Sequence, residues 1–223
     1  MSLKAIYLII YNCLQFTGWS YFFFQVTNNL ILSKSLQEIY LNTHLILEYC
    51  QYGAFFEIMH SLFGIVKSSI FATSIQILGR IIIVVILQFF PSALSKGYLL
   101  IYFAWALVEI IRYLYYIFSL LQKELSNFNI PYLLIWCRYS FFIVLYPIGV
   151  SGEMLTVWNA KKDFSKYIIY KGDKFSVTVA NFIYPIWILY IPALFYLYGY
   201  LFKQRNKVLD RLNNEKIKAK KIE

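Results

Sequence analysis

The chain has 223 residues, of which 60% are hydrophobic, 21% aromatic and only 14% charged, with a formal net charge of +10. Water-exposed domains carry about a quarter charged residues, so this composition excludes an ordinary soluble globular protein. It predicts an all-α integral membrane bundle with the lipid bilayer as its surroundings and no nucleic-acid partner.

Six apolar runs follow one another, each near the twenty residues or so that cross a hydrocarbon core of roughly 30 Å as a helix. They are Ala5 to Val26, Ile46 to Val66, Ser69 to Phe90, Tyr98 to Leu121, Pro131 to Ser151 and Val177 to Phe202. The first carries Asn12 and Gln15 and lacks a small-residue cleavage pattern, so it reads as a span and not as a secretory signal. Residues 1–202 are thus expected to form one six-span domain, and 203–223 a basic tail with eight Lys/Arg against three acids.

An even number of spans puts both termini on one side. That side holds eleven extramembrane Lys/Arg against seven on the other, which makes it the cytosolic side. The loop before the sixth run opposes this bias, with Lys161, Lys162, Lys166, Lys171 and Lys174 against Asp163 and Asp173. The chain ends in Lys220, Lys221, Ile222 and Glu223, the dilysine form of a signal that returns membrane proteins to the endoplasmic reticulum.

An ionised side chain in hydrocarbon needs a partner, a water-filled cavity or a task. Such residues here are Glu48, Glu57, His60, Arg80, Glu109, Arg112, Arg138 and Glu153. Glu109 and Arg112, three apart on one helix face, are expected to form a structural ion pair. Arg80 and Arg138 have no local acid and are expected to face the bundle, toward a carboxylate of another helix or an anion.

Glu57 and His60 have the Glu-x-x-His spacing of di-iron bundles, but no second such pair exists, so no metal is expected. None of Cys13, Cys50 and Cys137 is followed six residues on by arginine, which excludes a phosphatase-type cysteine loop. Their number is odd and they lie in or beside apolar runs, so they read as small apolar side chains. Phosphate-binding glycine loops are also missing, and no cofactor is expected.

The stretch IVLYPIGVSGEML, Ile143 to Leu155, sets Tyr146 and Glu153 seven residues apart around Pro147, Gly149 and Gly152. On a helix the two share a face about 10 Å apart along the axis. A bend at the proline or glycines would bring them together and imply a cavity, because freed backbone is tolerated in a membrane only where protein or water satisfies it. One carboxylate and one phenol suit proton transfer on a lipid-like substrate. The plainer alternative makes Glu153 an interfacial cap and Tyr146 part of an aromatic belt.

Five stretches resemble the very-long-chain (3R)-3-hydroxyacyl-CoA dehydratases, a family once called protein tyrosine phosphatase-like. They are YLIIYNCLQFTGW (Tyr7 to Trp19), FEIMHSLFGIVKSS (Phe56 to Ser69), TSIQILGR (Thr73 to Arg80), AWALVEIIRYLYYIFSLL (Ala104 to Leu121) and PYLLIWCRYSFFIVLYPIGVSGEMLT (Pro131 to Thr156). Lys67 stands where the family pattern has proline.

The resemblance implies an enzyme of the endoplasmic reticulum membrane with six spans and cytosolic termini. It would convert 3-hydroxyacyl-CoA to trans-2-enoyl-CoA in the third step of fatty-acid elongation, beside the condensing enzyme and reductases of that cycle. It assigns catalysis to Tyr146 and Glu153, with Arg138, Arg80 and Gly149 in support, Arg138 orienting or charging the pair. The CoA phosphates would need cations such as the lysines of the fifth loop. With a cytosolic N-terminus, the end of the fifth run and its catalytic pair point toward the lumen, away from the side where acyl-CoA is made. An inactive scaffold of the elongation enzymes, or a small transporter using Glu109, Arg112 and Arg80, are the alternatives.

Overall fold

A computed structural model describes residues 1–125, 128–171 and 176–220. The chain opens with helix α1 (Leu3–Ile31), whose Ser2 side chain accepts from the Ala5 amide. A turn through Ser33, at φ 53°, leads to α2 (Leu36–Gly53). A reciprocal Ser35–Glu38 capping box starts α2 ten residues before the second apolar run. That run is divided at Ala54, where α3 (Phe55–Leu62) begins.

Helix α4 (Ile70–Phe89) follows the third run closely, and α5 (Lys96–Glu124) contains the fourth, capped by Ser95. The fifth run holds α6 (Tyr132–Ser140) and the first turns of α7 (Phe142–Phe164), which continues thirteen residues past Ser151. Strands β1 (Ile168–Lys171) and β2 (Ser176–Thr178) form an antiparallel hairpin, so the first residues of the sixth run are strand and turn. Helix α8 then runs unbroken from Ile183 to Lys220, across the boundary expected at 202. Lys221, Ile222 and Glu223 of the dilysine ending lie outside the described residues.

Among the described residues the fold is all-helical apart from one strand pair. By length and composition α5 qualifies as a membrane-crossing helix, and α6 with α7, bent by 41° at their junction, qualifies as a second. Among the described residues the other runs fall short of that measure. Tyr, Trp, Asn and Gln interrupt α1, and α2 opens on a polar stretch holding Gln37, Glu38, Asn42 and His44.

Helix α5 forms the centre, packed on α1 and α7 through Trp19, Phe22, Tyr98, Ile101, Tyr102 and Trp105. Polar side chains are tied inside, Thr43 to the Tyr98 hydroxyl at 2.9 Å and Thr27 to Tyr102, and nearer the surface Asn42 donates to the buried Asn29 at 3.1 Å. The outside is apolar, with Leu14, Ile31, Phe71, Phe89 and Phe195 among the exposed residues. The amine of Met1 and the amide of Ser2 meet Glu124, so the start of α1 lies beside the end of α5.

Helices α5 and α7 touch backbone to backbone where Gly97 faces Gly152. A Cβ on Gly152 would stand 2.8 Å from the Gly97 carbonyl oxygen and 2.9 Å from the Ile101 amide nitrogen. Backbone cannot rotate away as a side-chain end can. Gly152→Ala is therefore expected to cost about 1–3 kcal/mol of stability by overpacking. The check is thermal unfolding in detergent beside Gly79→Ala, whose added methyl meets nothing within 4 Å.

At the far end of α7, past the apolar run, Asp163 accepts Lys166 Nζ at 2.6 Å and the Ser92 amide at 3.0 Å. This fastens α7 to the 3-10 turn Pro91–Ala93 that joins α4 to α5. The Lys166 ammonium, and next Ser92, hold the Asp163 carboxyl well below the usual carboxylate range. Its folded form is thus the more acidic one. The contribution is complete above the unfolded value, near pH 4, and is lost as pH falls toward the folded one. Asp163→Asn is expected to flatten the acid side of the melting-temperature profile between pH 5 and about pH 2, measured by thermal unfolding across that range.

Candidate active site

Pro147 has no amide hydrogen to give the Ile143 carbonyl one turn back. The hydroxyl of Tyr198, from α8, donates to that carbonyl instead, at 2.7 Å. Ser151 Oγ donates to the Pro147 carbonyl at 2.8 Å. With these bonds α7 stays helical through Pro147, Gly149 and Gly152. The bend expected between Tyr146 and Glu153 is absent, and the break lies upstream at Phe141, between α6 and α7.

Tyr146 and Glu153 therefore keep their helical separation of about 10 Å along the axis. Helix side chains all lean toward the N-terminus, that of Tyr146 as much as that of Glu153, so the lean leaves this separation unchanged. The Tyr146 ring lies stacked on Tyr198, centroids 6.1 Å apart, and its hydroxyl feels the charges of Glu153 and Arg80.

Glu153 is clamped from two sides. Its Oε1 accepts the indole N–H of Trp105 on α5 at 3.0 Å, and its Oε2 accepts the hydroxyl of Tyr190 on α8 at 2.7 Å. Gly149 lies where α7 passes this part of α5: a Cβ there would lie 3.3 Å from Ala104 Cβ, a tight contact, and 3.7 Å from the Trp105 ring, an ordinary one, so glycine eases the approach of the two helices beside the indole. Each carboxylate oxygen keeps a further lone pair, so Glu153 remains able to take or hand over a proton.

Behind Trp105 lies a second polar group. Arg80 sits 5.0 Å from the centre of the Trp105 ring and pairs with Glu109, which is 1% exposed. Arg112 donates Nε to the other oxygen of Glu109 at 2.6 Å and binds Glu57 in bidentate fashion, both bonds 2.8 Å. The Tyr113 and Tyr11 hydroxyls also reach Glu57. Two arginines and two glutamates thus balance one another. Beside them a cavity of about 10 Å³ is lined by Trp19, Gln51, Gln76, Arg80, Glu109 and Arg112, room for about one water.

Of the five residues expected at the site, Glu153 and Gly149 meet at Trp105, Arg80 covers the same ring, and Tyr146 shares their helix face. Arg138 stands apart on α6, its guanidinium 5.9 Å from the Tyr116 ring and 5.8 Å from Tyr139, its Nε buried without an acceptor. His60, buried beside Glu57, is hydrogen-bonded to the Tyr7 hydroxyl at 2.8 Å. Among the described residues no cluster of His, Cys, Asp and Glu could hold a metal ion.

Trp105, Tyr190 and Tyr198 escaped the sequence reading. Trp105 lay in a matching stretch read for Glu109 and Arg112. The two tyrosines lie in a run crowded with aromatics, where no local signal sets them apart.

A family model described as "Protein tyrosine phosphatase-like protein, PTPLA" matches residues 51–211. A human protein named very-long-chain (3R)-3-hydroxyacyl-CoA dehydratase 2 is 35% identical over 221 residues, covering 96% of this chain and 85% of the human one. A Caenorhabditis elegans protein bearing the same dehydratase name is 33% identical over 220 residues, covering 94% of this chain and 96% of its own. A mouse protein named very-long-chain (3R)-3-hydroxyacyl-CoA dehydratase 1 is 31% identical over 219 residues, covering 93% of this chain and 74% of its own. No solved structure matches the chain.

Proposed function

The chain belongs to the protein tyrosine phosphatase-like, PTPLA, family, and on that premise we propose that it is a very-long-chain (3R)-3-hydroxyacyl-CoA dehydratase. One observation carries the reading: relatives with that name align over more than nine-tenths of its length. The doubly hydrogen-bonded carboxylate of Glu153 supports it chemically, with the Tyr146 phenol on the same helix face.

The substrate's C2 hydrogen is acidified by the thioester, while its C3 hydroxyl is a poor leaving group. One protein group takes the C2 proton, the charge left behind spreading into the thioester, and the other gives a proton to the C3 hydroxyl, which leaves as water as the C2–C3 double bond forms. The base ends with one proton more and the acid with one fewer. A proton returned from base to acid, directly or through solvent, resets the site. Glu153 and Tyr146 divide these roles, and Arg80 and Gly149 act behind them through Trp105. Arg138, on the far side of the α6–α7 break and packed on Tyr116 and Tyr139, has a supporting role by family resemblance alone. No cofactor or metal is required.

The apolar exterior and tied polar interior suit a membrane setting, and the reading places the chain as six spans in the endoplasmic reticulum membrane with both termini cytosolic. In that setting α7 continues eleven residues beyond Glu153, about 16 Å of helix. The pair then lies deep in the bundle, where an acyl chain threading between helices reaches it from the cytosolic side. The elongation cycle's condensing enzyme and reductases are the partners expected beside it.

The test is turnover of a long-chain (3R)-3-hydroxyacyl-CoA to its enoyl product by the purified full-length protein in detergent. Conversion of the 3R substrate and not its 3S isomer is the expected result. A folded protein inert toward every chain length tried would overturn the reading in favour of a scaffold. Single cysteines placed at either end of α5 and labelled from the cytosolic side test the topology.

A further inference from the structure

Glu153 is gripped by an indole from α5 and a phenol from α8, and the two grips differ in kind. The Trp105 side is set by close helix packing at Gly149 and Gly152. Helix α8 runs antiparallel to α6 and α7: Tyr190 meets Glu153, Tyr198 meets Tyr146 and Ile143, Phe202 meets Phe142, and Arg205 meets Ser140. Seven residues from Tyr146 to Glu153 are matched by eight from Tyr190 to Tyr198, about 10 Å against 12 Å of helix rise. Each candidate catalytic residue thus has its own tyrosine on α8.

We infer that α8 is the second wall of the catalytic site and that Tyr190 is a positioning residue, holding the Glu153 carboxylate through the hydrogen bond to Oε2. Two donors on two different oxygens, from opposite helices, fix the carboxylate's rotation, which one donor leaves free. With Oε1 tied to Trp105 and Oε2 to Tyr190, the unused lone pairs keep one direction, and proton transfer depends on direction as well as distance. The inference rests on the reading of Glu153 as a proton-transfer group. It adds a residue to that site and assigns it to the last helix.

The experiment compares Tyr190→Phe with wild type and with Tyr196→Phe, whose ring is exposed, all as full-length protein in detergent acting on a long-chain 3-hydroxyacyl-CoA. A hydrogen bond to a charged group, lost from the transition state, lowers kcat roughly ten- to hundredfold. KM is expected within about threefold of wild type, because the phenol acts on Glu153 and not on the acyl chain. The pH–rate profile is expected to be displaced, whereas a loosened fold lowers the rate at every pH without moving it. In a Glu153→Gln background, where no carboxylate remains to be held, Tyr190→Phe is expected to cause no further loss in single-turnover rate.

An unchanged kcat and pH profile in folded Tyr190→Phe, or an equal loss in both backgrounds, would overturn the inference. Should Tyr190→Phe not fold, 3-fluorotyrosine at position 190 keeps the ring and changes the acidity of its hydroxyl. A displaced profile then supports the inference, and an unmoved one ends it. Wild-type turnover in Glu153→Gln would instead remove the reading of Glu153 itself, a result distinct from a dead Glu153→Gln beside a fully active Tyr190→Phe.

Discussion

Glu153→Gln and Tyr146→Phe are each expected to lower kcat by about 10²- to 10⁴-fold, the usual contribution of a positioned acid or base. Both replacements keep shape. The glutamine carbonyl still accepts the Trp105 indole N–H, and the Tyr190 hydroxyl, free to rotate, is able to accept from the new amide. Phenylalanine at 146 keeps the stack on Tyr198, and the bond from Tyr198 to the Ile143 carbonyl is untouched. Melting temperatures close to wild type are therefore expected, which separates lost chemistry from lost fold.

The roles divide under a second measurement, exchange of the substrate's C2 hydrogen in deuterium oxide. A variant lacking the base neither exchanges nor dehydrates. A variant lacking only the acid is expected to exchange C2 faster than it releases water, since the proton still comes off while the hydroxyl stays. Near-normal dehydration by both folded variants would remove Tyr146 and Glu153 from the chemistry.

The parts of this site that lay within one helix were legible in the sequence, and those that needed two helices were not. Periodicity put Tyr146 and Glu153 on one face and Glu109 beside Arg112, because a helix fixes the neighbours of its own residues. It left open which carboxylate Arg80 meets, and it gave no hint that Glu57, 55 residues away, takes both amino groups of Arg112. Trp105 and Tyr190 meet Glu153 across 48 and 37 residues, and nothing local marks either ring.

The bend was misplaced for a related reason. Proline frees one carbonyl and glycine frees none, and here the Tyr198 hydroxyl satisfies the freed one. Apolar runs likewise located the helices but not all of their ends. The start of α2 was set by the Ser35–Glu38 capping box, and α7 continued through polar residues that a search for apolar runs cuts off.

The largest effect on stability is expected at Glu109. Its carboxylate is fully enclosed and shared, one oxygen paired with Arg80 and the other with Arg112. Arg112 keeps Glu57 if Glu109 is lost, whereas Arg80 has no other carboxylate partner among the described residues. Glu109→Leu thus leaves an uncompensated guanidinium against the Trp105 ring, and on the order of 3–5 kcal/mol of stability is expected to go with it. Thermal unfolding in detergent measures the loss. The double variant Glu109→Leu, Arg80→Leu removes one charge of each sign and leaves the Arg112–Glu57 pair intact. It is expected to recover most of that stability, because an apolar pair substitutes for an ion pair far better than half a pair does. Its turnover then isolates what Arg80 does at the site. Recovered stability with activity still low would mean that the Arg80 charge above Trp105 serves Glu153 and Tyr146. Recovery of both would make Arg80 a structural counter-ion of Glu109 and no more.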